Sequence, residues 1–298
     1  MLLALDWGST HLRATLLRDG ETVDAVRSAD GVRNLRGRRC EEILAELCGA
    51  WAAAHPGLAA VASGMVGARE GWREAPYVSA PCGLSEIAAA AVPVPAGIFG
   101  RVWIVPGVQV QETADGTLDV IRGEETEILG LLDRIPPDGA VLCLPGTHSK
   151  WALCRDGRIV SFRTWLTGEA YERLTVDSLL SGDGSPADPG SEAFALGFDA
   201  AGAEGGLLHQ LFLARTAMLG GRLRPDGVRG FVSGLLVAHE LRGALGRIGD
   251  LPLFLVGDTP AAGALARGLQ LSGRSFERLR GDFHSRGILA LAGRLTGA

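Results

Sequence analysis

The sequence predicts an α/β fold built from two related halves. The first observation is a repeated plan. Residues 3–20 and residues 141–157 each run through an apolar stretch, a turn of Gly and hydroxyl residues, a second apolar stretch and an Asp-Gly pair. The second observation is that short apolar runs alternate with segments of helical periodicity, as is typical of α/β proteins. Each half needs a core, and 298 residues with 47% hydrophobic content are enough for two.

Each copy of the repeat predicts a β-hairpin, because two apolar runs flank a short turn. The tips fall at residues 8–10 in the first copy and at residues 146–149 in the second. Backbone N–H groups and hydroxyls at such tips can contact phosphate oxygens. Either hairpin alone is compatible with an ordinary polar turn, whereas the repetition favours a paired phosphate site.

The elements between the two hairpins follow in order. Apolar residues at helical spacing predict a helix over residues 41–54, ended by His55-Pro56-Gly57. After it we expect a buried strand over residues 58–63, a Gly-rich turn over 64–71, a strand over 101–108 and a helix over 124–133. The Pro and Gly residues at 136–139 then predict a boundary between the halves.

The second half continues with a strand over residues 161–165 and an exposed loop over 181–191, which is rich in Ser, Gly, Asp and Pro. Two strand-glycine-helix units follow. The first has a strand over 231–235 and a helix through Leu245, and the second has a strand over 253–258 and a helix through Leu269. A glycine at the carboxyl end of a strand lets a ligand approach the backbone closely, which draws attention to Gly234 and Gly257.

Composition limits the class of partner. The net charge is -5 and no dense run of Lys or Arg occurs, so we expect neither a nucleic acid nor an anionic membrane as partner. The first apolar run meets Asp6 at once and no run approaches membrane-spanning length, which argues against a signal peptide or a membrane helix. The five cysteines include no C-x-x-C pair, so we expect reduced packing residues and a cytoplasmic protein.

Several blocks of sequence lie in order through both halves: residues 6–10, 64–77, 119–126, 144–151, 162–164 with 167–169, and 233–236. Together they resemble the 2-dehydro-3-deoxygalactonokinases of the actin-like ATPase superfamily. The resemblance implies two actin-like (ribonuclease H-like) α/β domains with an ATP cleft between them. The first would span residues 1–138, completed by a C-terminal helix over 282–298, and the second residues 139–281.

The resemblance also implies a reaction, the transfer of the γ-phosphoryl group of ATP to the 6-hydroxyl of 2-dehydro-3-deoxy-D-galactonate in galactonate catabolism. Such a transfer needs a carboxylate for Mg²⁺, donors on the phosphates and a base near the attacking hydroxyl. Asp6 is the candidate for Mg²⁺, with a capping role as the alternative. Glu124 or Glu125 would be the base or a second carboxylate, because Pro145 stands where superfamily members usually have an acidic residue. An acidic first helical turn is the alternative for either Glu.

The other candidate residues fall into two sets. Those assigned to ATP are Gly8, Ser9, Thr10, Arg13, Gly146, Thr147, His148, Ser149, Lys150, Gly234, Gly257 and Asp258. Those assigned to the anionic sugar acid are Met65, Arg69, Glu70, Trp72, Glu74, Tyr77 and Arg163, since a guanidinium suits a carboxylate. Lys150 as an exposed strand residue, Trp72 as a core anchor and tight helix packing at either glycine remain alternatives.

Two other functions stay open at this point. One is a kinase of the same superfamily that acts on another small sugar, sugar acid or carboxylate. The other is a non-catalytic ATP-binding sensor, against which the retained Asp6 and the Glu124-Glu125 pair argue. A homodimer is also left open.

Overall fold

The computed structural model describes residues 1–111 and 118–295. The chain divides into two compact units. Unit 1 consists of Met1–Asp138, Cys154–Phe162 and Asp282–Ala298, and unit 2 of Gly139–Leu153 and Arg163–Gly281. Buried apolar clusters lie within each unit, so each has a core of its own.

Strands and helices alternate along the chain. The strands are β1 (Leu2–Trp7), β2 (Leu12–Arg18), β3 (Glu21–Ser28), β4 (Ala59–Ser63), β5 (Tyr77–Ser79), β6 (Cys82–Gly83), β7 (Val92–Pro95), β8 (Arg101–Ile104), β9 (Gly107–Gln111), β10 (Leu118–Ile121), β11 (Ala140–Leu144), β12 (Ser149–Arg155), β13 (Arg158–Trp165), β14 (Leu253–Val256) and β15 (Glu277–Leu279). The helices are α1 (Cys40–Ala54), α2 (Leu84–Ala89), α3 (Glu124–Leu129), α4 (Thr167–Leu174), α5 (Glu192–Ala200), α6 (Gly206–Leu219), α7 (Val228–Ile248), α8 (Pro260–Leu271) and α9 (Phe283–Leu295).

The main sheet of unit 1 has the strand order β3-β2-β1-β4-β8-β7. Strand β1 is antiparallel to β2 and parallel to β4, so the carboxyl ends of β1 and β4 meet at one edge. Helix α1 covers one face of the sheet with its buried apolar residues. Helix α3 packs on α9, and glycines at positions 130 and 287 allow their backbones to approach closely. This packing fixes the start of α3 beside the ends of the central strands.

Unit 2 repeats this arrangement. Strand β14 is parallel to both β11 and β15, and β12 follows β11 in the order β15-β14-β11-β12, which matches β8-β4-β1-β2 of unit 1. The turns after β2 and β12 match as well, since Asp19, Gly20, Asp156 and Gly157 all have positive φ. Two consecutive residues of positive φ are the signature of a type I′ hairpin turn. The predicted α/β fold and its internal repeat are therefore confirmed.

The predicted strand over residues 231–235 is wrong, because these residues lie within the first part of helix α7. Helix α7 packs on α4, α5, α6 and α8, so it is apolar on most sides. A run buried all round cannot be told from a buried strand by its periodicity. Gly234 therefore does not end a strand. A Cβ there would lie 3.0 Å from the backbone nitrogen of Phe198, and tight packing of α5 on α7 explains this glycine.

The other predicted elements need smaller changes. The strand expected over residues 101–108 is two strands, β8 and β9, which lie in different sheets. The helix expected over residues 124–133 ends at Leu129, and a short 3-10 turn follows at Leu132–Arg134. The C-terminal helix is α9, and residues 296–298 of its predicted range lie outside the described residues. In residues 1–111 and 118–295, no helix is long and apolar enough to cross a membrane.

Candidate functional site

The turn between β11 and β12 forms one part of the candidate site, in unit 2. Thr147 and His148 are exposed at its tip, whereas Ser149 and Lys150 behind them are buried. The Lys150 ammonium donates a 2.9 Å hydrogen bond to the His148 carbonyl, so this residue braces the turn and is not an exposed strand residue. Glu169 holds the turn from the other side. Its backbone N–H donates to the Thr147 carbonyl, and its carboxylate lies 2.7 Å from His148 Nε2.

A cavity of about 860 Å³ opens next to this turn. Its polar end is formed by the turn itself and by the start of α4, where Gly168 contacts the turn backbone. Its other walls are mostly apolar and come from α7, α8 and the loop before α5. The lining residues outside the turn and the start of α4 include Tyr171, Pro186, Pro189, Arg229, Ser233, Leu236, Val237, Pro260, Ala264 and Leu265. A phosphate-compatible turn that leads into an apolar cavity of this size suits a nucleotide.

The predicted adenosine turn lies beside this cavity without lining it. Gly257 has a φ of 87° and donates its N–H to the Leu279 carbonyl. The Asp258 carboxylate is paired with Arg278, at 2.7 Å, and with Arg280, at 3.2 Å. The cavity wall is instead made by the residues that follow, at the start of α8. Gly257 and Asp258 are therefore neighbours of the cavity lining, and their assignment to the adenosine stays a prediction.

In unit 1, the tip of the first hairpin is held by its own backbone and by a neighbouring loop. The Gly8 N–H donates to the His11 carbonyl, while the carbonyls of Gly8 and Ser9 accept from the N–H groups of Val32 and Arg33. Thr10 is exposed. Asp6 and Arg13 are partners in the β1–β2 register, Asp6 half-buried and Arg13 exposed. The tip is thus a fixed loop with polar groups next to the end of β1.

Glycines bring three segments of unit 1 together at this edge of the sheet. Gly64 ends β4 with a φ of 92°, and a Cβ there would lie 2.8 Å from the Trp7 carbonyl oxygen at the end of β1. Gly123 precedes α3 with a φ of 110°, and a Cβ there would lie 3.3 Å from the Gly64 Cα. Only glycine meets both requirements without strain. The start of α3 therefore lies against the ends of β1 and β4.

The two glutamates at the start of α3 differ in exposure. Glu125 is fully buried, where it accepts hydrogen bonds from the Gly123 N–H at 2.6 Å and from the Thr126 hydroxyl at 3.0 Å. Burial, reinforced by the negative charge of Glu124, raises the pKa of Glu125 to about 7. Glu124 is partly exposed and accepts a 3.1 Å hydrogen bond from the Arg122 N–H. Of this pair, Glu124 is the one whose carboxylate can touch a ligand.

Further charged residues that the sequence analysis missed gather near Asp6. Burial raises the pKa of Glu127 to about 7, and the charges of Glu124, Asp6 and Asp282 add to the effect. His284 on α9 is also close enough to feel the charges of Asp6 and Asp282, and burial lowers its pKa. Its Nε2 lies 2.7 Å from the Ser63 hydroxyl oxygen. The sequence shows Glu124, Glu125 and Glu127 within four residues. It does not show that α9 packs beside them and brings His284 close.

This concentration of negative charge fits a hydrated cation. Among the residues that the structure describes, no group of three or more His, Cys, Asp or Glu side chains could hold a metal ion by itself. Mg²⁺ rarely needs such a cage, because it usually takes one or two carboxylates together with phosphates and waters. Asp6 at the end of β1 is of the right type for this role.

The Gly-rich segment between β4 and β5 carries most of the residues assigned to the sugar acid. Trp72 packs edge-on against Trp7, with the ring centres 6.2 Å apart, and belongs to the edge of the core. Met65 is half-buried, while Arg69, Glu70, Glu74 and Tyr77 are exposed. In unit 2, Arg163 is partly buried on β13. The exposed charges in this loop are available to a polar ligand, and Trp72 anchors the loop.

Known proteins resemble this chain over most of its length. The sequence model of the 2-keto-3-deoxy-galactonokinase family matches residues 6–291. The 2-dehydro-3-deoxygalactonokinase of Escherichia coli (strain K12) is 34% identical over 239 residues, which cover 80% of this chain and 78% of that protein. A crystal structure of a protein assigned as a 2-dehydro-3-deoxygalactonokinase, from Sinorhizobium meliloti, has a TM-score of 0.89 at 29% identity and covers 99% of both chains.

A more distant solved structure shares the fold alone. It is the activator of the 2-hydroxyisocaproyl-CoA dehydratase from Clostridium difficile with bound ADPNP, and its TM-score is 0.51 at 13% identity. The alignment covers 99% of this chain and 96% of that one. The fold is therefore that of the actin-like ATPases, as the sequence predicted.

Proposed function

The chain belongs to the 2-keto-3-deoxy-galactonokinase family, and we propose that it transfers the γ-phosphoryl group of ATP to the 6-hydroxyl of 2-dehydro-3-deoxy-D-galactonate, with Mg²⁺, in galactonate catabolism. The observation that carries the proposal is the cavity of unit 2, where a Gly-Thr turn leads into an apolar pocket of about 860 Å³. The family and the name of the 34%-identical relative from Escherichia coli support the choice of acceptor.

The cavity suits the two ends of ATP. Gly146 and Thr147 offer backbone N–H groups to phosphate oxygens, and Ser149 adds a hydroxyl. The aliphatic side chains of Leu236 and Val237 offer an apolar surface to the adenine ring of ATP. When bound, ATP supplies the phosphoryl group and Mg²⁺ neutralises part of its charge. In unit 1 we assign Asp6 to Mg²⁺, and Ser9, Thr10 and Arg13 to the phosphates.

We assign Glu124 as the general base that takes the proton from the 6-hydroxyl. It is partly exposed, which a base in contact with substrate requires, whereas Glu125 is enclosed and both of its oxygens accept hydrogen bonds. Glu125 would then be a positioning residue for the turn before α3.

The exposed side chains of the loop between β4 and β5 are our candidates for binding the sugar acid. Arg69 suits its carboxylate through a bidentate guanidinium contact, and Glu70 and Glu74 suit its hydroxyl groups. Trp72 contributes a fixed anchor for the loop. The choice of this acid over other small acceptors rests on the family, because charged loop residues alone fit several polyhydroxylated acids.

The test is a coupled assay of ADP release with ATP and Mg²⁺. Parallel samples contain 2-dehydro-3-deoxygalactonate, its gluconate epimer, galactonate or N-acetylglucosamine. We expect turnover with the 2-dehydro-3-deoxy acids only, and loss of turnover in Glu124→Gln. Turnover with a different acceptor would show a related kinase of other specificity. Binding of ATP without turnover on any acceptor would favour a sensor and contradict the proposal.

A further inference from the structure

One wall of the cavity in unit 2 is a segment that is neither helix nor strand. Residues 176–190, which we call the strap, lie between α4 and α5 and place Pro186, Ala187 and Pro189 on the cavity lining. Helices and strands fix their own backbone through repeated hydrogen bonds, whereas a segment of this kind depends on individual contacts for its position. The contacts that hold the strap therefore also hold this wall of the cavity.

Arg229, in the first turn of α7, makes two of these contacts. Its Nη1 donates a 2.7 Å hydrogen bond to the carbonyl of Gly184, which lies in the strap. Its Nη2 donates a 3.0 Å hydrogen bond to the carbonyl of Thr175, the residue before the strap. Both bonds are charge-assisted and so are stronger than bonds between neutral groups. The planar guanidinium thus ties two points of the chain, nine residues apart, to the same helix.

A second set of contacts joins the strap to the segment before α7. Gly182 has a φ of 61°, and a Cβ there would clash with the Pro225 carbonyl oxygen. The same carbonyl accepts a 3.3 Å hydrogen bond from the Asp183 N–H. The backbones of the two segments therefore touch directly. Gly182 lies outside the cavity lining, so it holds the strap without facing a ligand.

We propose that Arg229 is a positioning residue, which holds the strap on α7 as a wall of the cavity and so determines how long a nucleotide stays bound. The inference rests on the proposed function, because it takes the cavity as the nucleotide site. A strap that leaves α7 takes Pro186, Ala187 and Pro189 away from the ligand. Losses of contact in a preformed site act mainly on the rate of dissociation.

The test measures how fast a fluorescent ADP analogue, N-methylanthraniloyl-ADP, leaves the protein in stopped-flow displacement by unlabelled ADP. Arg229→Gln loses both charge-assisted bonds, but it also removes a charge from the cavity lining. Gly182→Ala changes no charge and pushes the strap away from the Pro225 carbonyl. We expect both variants to release the analogue about tenfold faster than the wild type or more, as for the loss of a hydrogen bond to a charged group.

Arg224→Gln is the matched control. Arg224 is exposed, pairs with Asp226 at 3.2 Å and lies in the segment before α7, so its loss removes a nearby charge without releasing the strap. This variant should keep the wild-type rate of release. Hydrogen exchange measured by mass spectrometry provides a second readout that needs no nucleotide. Peptides from residues 176–190 should exchange faster in Arg229→Gln and Gly182→Ala, and at the wild-type rate in the control.

The outcomes separate this inference from the proposed function. If Arg229→Gln does not fold, as judged by circular dichroism, Arg229→Lys replaces it and should give a smaller increase in the release rate, because lysine can still donate to one carbonyl. Faster release in the Arg229 variant but not in Gly182→Ala would mean that the charge acts directly, and would overturn the inference. Wild-type release in both folded variants would overturn it as well, and would leave the proposed function standing. A wild-type protein that binds no adenine nucleotide would overturn both.

Discussion

Arg122 stacks on Tyr77, with its guanidinium carbon 4.3 Å from the centre of the ring. The same guanidinium donates a 2.9 Å hydrogen bond from Nη2 to the Ala75 carbonyl. A Cβ on Gly67 would lie 3.0 Å from Nη1, so the group fits closely against the loop. Because Arg122 immediately precedes Gly123 and α3, it links the loop that carries Arg69 and Glu74 to the segment that carries Glu124.

We expect Arg122→Lys to weaken binding of the sugar acid without affecting ATP. A lysine keeps the charge but loses the planar stacking and the directed hydrogen bond to Ala75. The lost interactions are worth about 1 to 2 kcal/mol, which corresponds to a five- to thirtyfold rise in KM for the acid. Steady-state kinetics with each substrate varied in turn would measure this. Equal rises in both KM values would contradict a role specific to the loop.

Glu124 and Glu125 should give different phenotypes when each is changed to Gln. Loss of a general base lowers kcat by about 10² to 10⁴, so we expect Glu124→Gln to fall in this range with little change in stability. Glu125→Gln retains an oxygen that can accept from the Gly123 N–H, and we expect a smaller loss of kcat. Single-turnover kinetics would separate chemistry from product release. A larger loss in Glu125→Gln than in Glu124→Gln would reverse the assignment.

Stability should fall as pH rises from about 4.5 to 7, and Glu125 should be one cause. Its pKa is 4.5 when unperturbed and about 7 in the folded protein. The Glu125 carboxyl therefore ionises at a lower pH in the unfolded chain than in the folded protein. Its contribution to the free energy of unfolding is fully present below pH 4.5 and is lost as pH rises through 7. The shift corresponds to roughly 3 kcal/mol. Chemical denaturation across this window should show a flatter profile for Glu125→Gln than for the wild type. Glu127 shares the window, so Glu127→Gln should flatten it too.

The parts of the fold that the sequence predicted are those with local signals. The Asp-Gly turns after β2 and β12 recur in both copies of the repeat, and the positive φ values at Asp19 and Asp156 show why an Asp-Gly pair suits these turns. Helix α1 has one apolar face on a sheet, so its period was visible. Helix α7 is buried on most sides, and the buried residues near its start gave no helical period in the sequence.

The candidate site residues that a repeated pattern indicated are those at the tips of the two hairpins. Asp6, Thr147 and Ser149 stand at strand ends, which the repeat identifies. Glu240 on α7 accepts a hydrogen bond from Trp151, which lies 89 residues earlier in the chain, and His284 contacts Ser63, which lies 221 residues earlier. No local pattern records such contacts. They arise from helix packing on the sheet, which depends on the shapes of many side chains together.

Gly168→Ala should distort the turn between β11 and β12 without unfolding unit 2. Gly168 lies so close to this turn that a Cβ would come within 2.8 Å of the Thr147 Cα and 2.9 Å of the Thr147 carbonyl oxygen. Backbone atoms cannot move aside as a flexible side chain can, so the turn or the start of α4 must shift. We expect KM for ATP to rise about tenfold or more, since overpacking of this kind costs about 1 to 3 kcal/mol, and KM for the acid to change less.

Gly246→Ala on α7 is the control, because a Cβ there meets nothing within 4 Å. That change should raise stability by about 0.5 to 1 kcal/mol and leave both KM values unchanged. Normal ATP affinity in Gly168→Ala would mean that the turn between β11 and β12 does not bind the phosphates.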